Sequence, residues 1–129
     1  MMDNKEIVLE FYAAGGRGDM DTCLSLISDE IIWTNIGSTK FSGTFKGKQA
    51  LLNDLLGPLF GQLKAGITST IENVICEGNT VVIQTKGQAE THEGKAYNNT
   101  YCQVMTVENG KIIQVTEYFD TALVDAVLD

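Results

Sequence analysis

The clearest strand in this chain is residues 110–120, which read GKIIQVTEYFD after an Asn-Gly turn. One predicted face carries Ile113, Val115, Glu117 and Phe119, and the opposite face carries Ile112, Gln114, Thr116 and Tyr118. Glu117 is the exception on an otherwise apolar face. An unpaired carboxylate would be costly to bury in a dry core. This face is therefore predicted to line a polar or wet cavity.

Length and composition predict one domain spanning residues 1–129, with enough apolar residues, 43%, to bury a core. The net charge of -8, without a basic cluster, argues against binding to nucleic acid or an anionic membrane. No apolar run reaches the roughly 20 residues of a membrane span, and the N-terminus does not resemble a signal peptide. We therefore expect a cytoplasmic protein.

Three cysteines and one histidine offer little for a disulfide framework or a metal centre. The number of cysteines is odd, and no Cys-x-x-Cys spacing occurs. We expect no metal and no cofactor, and we expect each cysteine to act as a small buried apolar residue.

The N-terminal half of the chain is predicted to contain three helices. Residues 3–6 form a capping box for the first helix, which Gly15-Gly16 ends. Gly18-Asp19 starts a shorter second helix. Leucines in residues 51–59 indicate a third helix, with Gly57-Pro58 breaking or kinking it.

A short strand is predicted between the second and third helices. Ser28-Asp29-Glu30 is expected to turn the chain into this strand, residues 31–35. Residues 37–47 are rich in Gly, Ser, Thr and Lys, which predicts a loop crossing the mouth of a cavity.

The C-terminal half is predicted to be a meander of four strands, at residues 67–77, 80–91, 95–107 and 111–119. Asp120 can cap a short final helix. Helices followed by strands indicate an α+β fold, in which a cone-shaped, curved antiparallel or mixed sheet packs on three N-terminal helices.

Pairing parity predicts which side chains join Glu117 in the cavity. The predicted catalytic residues are Glu117 and Asn35, and the predicted substrate-binding residues are Trp33, Gln84, Lys86, Tyr101, Gln103, Met105 and Phe119. Apolar and aromatic walls with a few polar groups are typical of a small-molecule pocket. A register slip of one residue would instead place Gln84 and Lys86 outside.

Several short motifs spread over nearly the whole chain support a family resemblance. They are Phe11-Tyr12, Gly18-Asp19, the stretch from Asp29-Glu30 to Trp33, Gly43 to Gly47, Glu77-Gly78, Tyr97-x-Asn99-x-Tyr101, Gly110-Lys111-Ile112 and Glu117-Tyr118-x-Asp120. Together they resemble the SnoaL-like, ketosteroid-isomerase-related family of the nuclear transport factor 2-like superfamily. The resemblance implies a cone fold and a homodimer formed through the outer face of the sheet, with Val104, Ile112 and Tyr118 on that face.

The chain matches the catalytic residues of some members of the family but not of others. Ketosteroid isomerases use a tyrosine, an aspartate base and a protonated aspartate, where this chain has Phe11, Asn35 and Gln103, so steroid isomerisation by that mechanism is not expected. Polyketide cyclases use an acidic residue in an apolar pocket, which Glu117 could supply. Limonene epoxide hydrolases hold a water with three residues, matched here by Trp33, Asn35 and Glu117.

The leading hypothesis is a protein that binds an apolar small molecule, with Glu117 as general acid or base next to a carbonyl. Asn35 and Gln103 would orient the carbonyl or a water. One alternative is a non-catalytic ligand-binding or dimerisation module with a buried Glu117–Lys86 pair. Another is water addition of the epoxide-hydrolase type, with Gln84 and Lys86 near the position of that family's Arg–Asp pair.

Overall fold

Six strands form one sheet in the computed structural model, which describes residues 2–129. They are β1 (Ile27–Asn35), β2 (Gly43–Lys46), β3 (Thr68–Glu77), β4 (Thr80–Gln88), β5 (Thr100–Glu108) and β6 (Lys111–Phe119). Their order across the sheet is β2-β1-β6-β5-β4-β3, in which β1 and β6 run parallel and all other neighbours run antiparallel. The prediction of an α+β fold with a mixed sheet is confirmed.

Four helices accompany the sheet within residues 2–129. They are α1 (Asn4–Gly16), α2 (Met20–Ser25), α3 (residues 48–60) and α4 (Thr121–Val127). The predicted capping box begins α1, since the Glu6 backbone N–H donates to Asp3 Oδ1 at 2.8 Å and the Asp3 N–H donates to Glu6 Oε1 at 3.2 Å. Asp120 caps α4 by accepting from the backbone N–H of Leu123.

Helix α3 passes through Gly57-Pro58 without breaking, so the break, one of the two predicted effects, does not occur. Its segments are Lys48–Ala50, a π-helical stretch Leu51–Leu56, and Gly57–Phe60. The Gly57 N–H donates to the carbonyl of Leu52, the five-residue spacing of a π turn. The wider turns relieve the clash that a proline ring makes with the preceding turn of a regular α-helix.

Pairing between distant segments changes three predicted boundaries. Strand β1 begins at Ile27, so Ser28-Asp29-Glu30 lies in the strand rather than in a turn. Residues 43–46 of the predicted loop form β2, because they pair with β1 along their whole length. The hairpin turn predicted at His92 is present, with Glu90 bridging Ala96 in the antiparallel direction, but β4 already ends at Gln88 and β5 begins only at Thr100.

A bulge in the β5–β6 pair changes which isoleucine faces inward. The register shifts after Thr106, so that Val107 lies opposite Ile112. Ile112 is fully buried and Ile113 is only partly buried. The predicted outward position of Ile112 is therefore wrong, because the extra residue of a bulge inverts the alternation along a strand.

The concave side of the sheet is dry at one end and hollow at the other. Near the β5–β6 turn, Met105, Val107, Ile112 and Val115 are fully buried in the core. Two and four residues further along β6, the inward positions are those of Glu117 and Phe119, which line a cavity. The fold thus places Glu117 at the boundary between core and cavity.

The three cysteines are free and occupy different environments. Cys23 is buried and Cys102 is partly buried, whereas Cys76 is exposed on the edge strand β3. The expectation that all three are buried is therefore wrong for Cys76, which lies on the edge strand, where no further strand among residues 2–129 pairs with β3. Within the same described range, no helix is long and apolar enough to cross a membrane.

Gly87 provides a test of how tightly the sheet packs beside the cavity. A Cβ at this position would lie 2.8 Å from Tyr101 Cε2 and 2.9 Å from Ile67 Cγ2. We expect Gly87→Ala to lower the free energy of unfolding by about 1–3 kcal/mol, because the ring must shift. Urea denaturation measures the change. The control Gly16→Ala adds a Cβ that meets nothing within 4 Å, and equal stability of the two variants would contradict the expected crowding.

Candidate functional site

A cavity of about 850 Å³ lies between the concave face of the sheet and the helices. Most of its wall is apolar, with Leu51, Leu55, Leu56, Leu59 and Phe60 contributed by α3. Its polar side chains are Tyr12, Cys23, Trp33, Asn35, Ser69, Thr68, Thr85, Tyr97, Tyr101, Gln103 and Glu117. Among residues 2–129, Glu117 is the only Asp, Glu, Lys, Arg or His that lines it. The site therefore suits an apolar ligand that has polar atoms near Glu117.

Two strand registers bring Glu117 between two amides. Glu117 of β6 lies beside Asn35 of β1 and beside Gln103 of β5. The structure places six of the predicted site residues on the cavity wall: Trp33, Asn35, Tyr101, Gln103, Glu117 and Phe119.

Gln84 and Lys86 lie on the opposite face of the sheet, so their predicted place in the site is wrong. Gln103 pairs with Ile83, which directs Gln84 and Lys86 outward. Gln84 Oε1 accepts from Asn73 Nδ2 at 3.3 Å, and Lys86 Nζ lies 3.8 Å from Glu72 Oε2. The proposed buried pair of Glu117 and Lys86 is thereby excluded.

Met105 was also predicted to form a wall of the cavity. It shares the inward face of β5 but pairs with Val115 and is fully buried in the core. Met105 therefore packs in the core beside the cavity and does not line it. On β4, the buried Thr85 faces inward and lines the cavity, whereas the prediction had placed its neighbours Gln84 and Lys86 there.

The carboxyl group of Glu117 has a strongly altered acidity. Burial raises its pKa from 4.5 to about 7, because a low-dielectric surrounding disfavours the charged form. Hydrogen bonds from the side chains of Gln103 and Trp33 act in the opposite direction and lower this pKa. At neutral pH, Glu117 therefore exchanges readily between its acid and base forms.

Tyr12 determines how the Gln103 amide is oriented. The Tyr12 hydroxyl donates to Gln103 Oε1, which leaves the amide N–H groups as the donors toward Glu117. Burial raises the pKa of Tyr12, so the hydroxyl keeps its proton. Sequence reasoning missed this residue and assigned the corresponding helix position to Phe11. Both residues line the cavity, but the hydroxyl that reaches the polar cluster belongs to Tyr12.

Asn35 is held by contacts within the protein. Its Oδ1 accepts from Trp33 Nε1 at 2.9 Å, and its Nδ2 donates to the Phe41 carbonyl at 2.8 Å. These bonds orient the indole of Trp33 and attach the loop after β1 to the cavity wall. One N–H and one lone pair of the Asn35 amide remain for a ligand.

A second polar group, not predicted as part of the site, lies at the end of β6. Tyr97 is buried and lines the cavity, and Asn99 Nδ2 donates to its hydroxyl oxygen at 3.1 Å. Asn99 also bonds to the backbone of Asp120, donating to its carbonyl at 3.1 Å and accepting from its N–H at 3.0 Å. The Tyr97-x-Asn99-x-Tyr101 pattern was the signal available in the sequence.

Cys23 lines the cavity from α2 and is buried. Burial raises the pKa of its thiol to about 11, so at neutral pH the thiol is protonated and weakly nucleophilic. Among residues 2–129, no group of His, Cys, Asp and Glu side chains could hold a metal ion.

The raised pKa of Glu117 makes stability depend on pH. The folded protein holds a proton that the unfolded chain releases above its ordinary pKa of 4.5. The contribution of this bound proton to the free energy of unfolding is fully present below pH 4.5 and is lost as pH rises through about 7. The total loss is on the order of 3 kcal/mol. Glu117→Gln cannot ionise, so we expect the variant to gain stability relative to the wild type as pH rises through this window.

Urea denaturation at several pH values between about 4.5 and 8 measures this difference in the free energy of unfolding. Glu77→Gln is the matched control, because Glu77 is exposed on β3. A difference between the wild type and the Glu117→Gln variant that stays constant across this pH range would contradict the expectation.

Comparisons with known proteins agree with this architecture. The sequence model of the SnoaL-like domain matches residues 8–115. No curated protein sequence matches the chain.

Solved structures match over nearly the full length. Bal32a, from a soil-derived mobile gene cassette, is 26% identical with a TM-score of 0.86, and the match covers 98% of this chain and 96% of that one. A nuclear transport factor 2-like protein from Burkholderia thailandensis is 24% identical with a TM-score of 0.87, covering 100% and 99%. A putative SnoaL-like polyketide cyclase from Jannaschia is 18% identical with a TM-score of 0.81, covering 97% and 90%.

Proposed function

The chain belongs to the SnoaL-like domain family, and on that premise we propose that it catalyses proton transfer next to a carbonyl group of an apolar small molecule. Glu117 is the general acid–base residue in this proposal. The observation that carries it is a single carboxyl group, with a pKa near 7, in a cavity of about 850 Å³ with mostly apolar walls. Such a cavity falls within the range of small-molecule sites.

The acidity of Glu117 suits this chemistry. A general base works best when its pKa lies near the working pH, because it is then both deprotonated often enough and basic enough to remove a proton. Exclusion of water from an apolar cavity strengthens the carboxylate as a base toward a weakly acidic C–H group. The amide of Gln103, oriented by Tyr12, keeps the carboxylate in one position.

Water addition to an epoxide is less well supported by the site. Opening an epoxide requires an acid for the leaving oxygen as well as a base for the water. Within residues 2–129, Glu117 is the only ionisable carboxyl group on the cavity wall, and Gln84 and Lys86 are on the other face of the sheet. Proton transfer needs only one group that alternates between acid and base.

Hydrogen–deuterium exchange of a simple ketone tests the proposal without knowledge of the natural substrate. The probe is 2-tetralone in deuterium oxide, and proton NMR measures the loss of the signal next to the carbonyl. We expect the protein to accelerate exchange and Glu117→Gln to slow it by about 100-fold or more. The rate should rise with pH and level off above about 7, because the carboxylate is the active form.

Glu77→Gln, on the exposed edge strand, is the control and should exchange the probe at the wild-type rate. Exchange that is equally fast with Glu117→Gln would rule out Glu117 as the base. A folded wild type that binds 2-tetralone without accelerating exchange would favour the non-catalytic ligand-binding alternative.

We also propose that two copies of the chain associate through the outer face of the sheet. One row across this face carries Thr116, Val104, Val82 and Ile75, which are neighbours in register. Ile75 is 54% exposed and the nearby Tyr118 is 48% exposed, so much apolar surface faces solvent in a single chain. A second copy would remove this surface from water.

Native mass spectrometry or sedimentation should therefore find a dimer at micromolar concentration. Val104→Asp should shift the protein to monomer, because the dimer would bury an unpaired carboxylate at its centre. Asn53→Asp, on the exposed side of α3, should leave the dimer intact. A wild type that is monomeric at this concentration would refute the association.

A further inference from the structure

Three exposed apolar side chains, the rim residues Met20, Phe60 and Ile71, lie where the cavity opens. Met20 at the start of α2 is 45% exposed, and Phe60 at the end of α3 and Ile71 on β3 are each 39% exposed. All three also line the cavity. A side chain that lines a cavity and meets solvent lies at its mouth, and exposed apolar groups at such a place are typical of ligand-binding grooves.

A bulge in β3 turns Ile71 towards this mouth. The register between β3 and β4 shifts between Ile71 and Asn73. Ile71 pairs with Thr85, which is buried and lines the cavity. Ile75 pairs with Val82 on the outer face. Without the bulge, Ile71 and Ile75 would share a face, because residues four apart on a regular strand point the same way.

The rim lies at a distance from Glu117 that is set by the width of the sheet. Phe119, two residues beyond Glu117, begins an inner row that crosses the four strands from β6 to β3 through Tyr101, Thr85 and Ile71. Every member of this row lines the cavity. Three strand spacings of about 4.8 Å make the row roughly 14 Å long. An extended chain of roughly a dozen bonds covers that length, at about 3.5 Å for every three bonds.

The polarity of the cavity wall differs between its buried end and its mouth. At the buried end, Glu117 lies beside Asn35 and Gln103, which are themselves buried. Glu117 is the only charged side chain on the wall among residues 2–129, so the rim offers no partner to a charged group. An amphiphile with its charged head at the mouth would also place its apolar part against the polar end. The wall therefore suits a ligand that enters with its polar group first.

We propose that the ligand is an elongated ketone, with its carbonyl end beside Glu117 and its uncharged apolar end at Met20, Phe60 and Ile71. This inference rests on the proposed function and specifies its substrate class. One continuous cavity contains both Glu117 and the rim, so the outer part of the ligand covers the rim without a second macromolecule. Removal of the rim side chains from water adds to the affinity for a long ligand.

Two methyl ketones of different length test the role of the rim. The probe 2-octanone is too short to reach from Glu117 to Ile71, whereas 2-tetradecanone is long enough. Binding is followed by the fluorescence of Trp33, the only tryptophan in the chain, which lines the cavity. Ile71→Ser should weaken binding of 2-tetradecanone by about 3- to 10-fold and leave binding of 2-octanone unchanged, because apolar contact is lost only at the mouth.

Ile32→Ser is the matched control for this variant. Ile32 is also 39% exposed, but it is not among the residues that line the cavity. The control should bind both ketones as the wild type does. Equal weakening for the two ketones, or no weakening for the longer one, would overturn the role of the rim. Phe60→Ser should show the same selective loss and replaces Ile71→Ser if that variant does not fold.

A bromine atom at the far end of the longer ketone tests the direction of binding. Bromine quenches the fluorescence of an indole that it contacts. Trp33 donates to Asn35 at the polar end of the cavity, so a bromine at the mouth should add no quenching to that of unsubstituted 2-tetradecanone. Strong additional quenching would place the apolar end beside Trp33 and overturn the proposed orientation.

Exchange kinetics separate this proposal from the function on which it rests. Exchange of 2-tetralone that depends on Glu117, together with equal effects of Ile71→Ser on the two methyl ketones, would overturn the elongated ligand and leave the proposed function standing. Selective loss of 2-tetradecanone binding, in a protein that exchanges none of the three ketones, would support the ligand site at the mouth and refute the catalytic function.

Discussion

The pairing of β6 with β1 on one side and with β5 on the other is the constraint on which the site depends. Parallel pairing places Asn35 beside Glu117, and antiparallel pairing places Gln103 on its other side. A slip of one residue in either pair would turn one of these side chains to the outer face. The dry core beneath them, with Val115 and Met105 in register, resists such a slip because it would expose buried apolar groups.

The polar groups of the cavity divide into those that the protein satisfies and those that it leaves open. The Tyr12 hydroxyl donates its proton to Gln103, and the Trp33 N–H donates to Asn35. Glu117 keeps a carboxyl group of raised pKa, and the Asn35 amide keeps one N–H and one lone pair that its two bonds within the protein do not use. The buried carboxyl group lowers the stability of the empty protein as pH rises, and a perturbed group of this kind is typical of a site that is organised for a ligand.

Several parts of the site were predictable because they depend on local sequence. The turn before residue 111 and the alternation along β6 identified Glu117 as an unusual inward carboxylate, and the neighbouring strand supplied Tyr101 and Gln103. Gln84 and Lys86 were assigned to the wrong face of the sheet. On β4 they alternate with the apolar Val81 and Ile83, and polar residues at such alternate positions are typical of the outward face. Tyr97 was not predicted as a site residue, although the Tyr97-x-Asn99-x-Tyr101 alternation gives it the same inward parity as Tyr101.

The sequence by itself determined the order of the helices and of every strand except β2, the mixed α+β class and the family, because these depend on hydrophobic periodicity, caps and turns over short distances. Only the tertiary structure decided which residues meet in the cavity. The bulge that turns Ile112 inward and the bond from Tyr12 to Gln103 join segments far apart in the chain. Packing selects such contacts by the burial of apolar surface and the satisfaction of polar groups across the whole fold, and no local pattern encodes that balance.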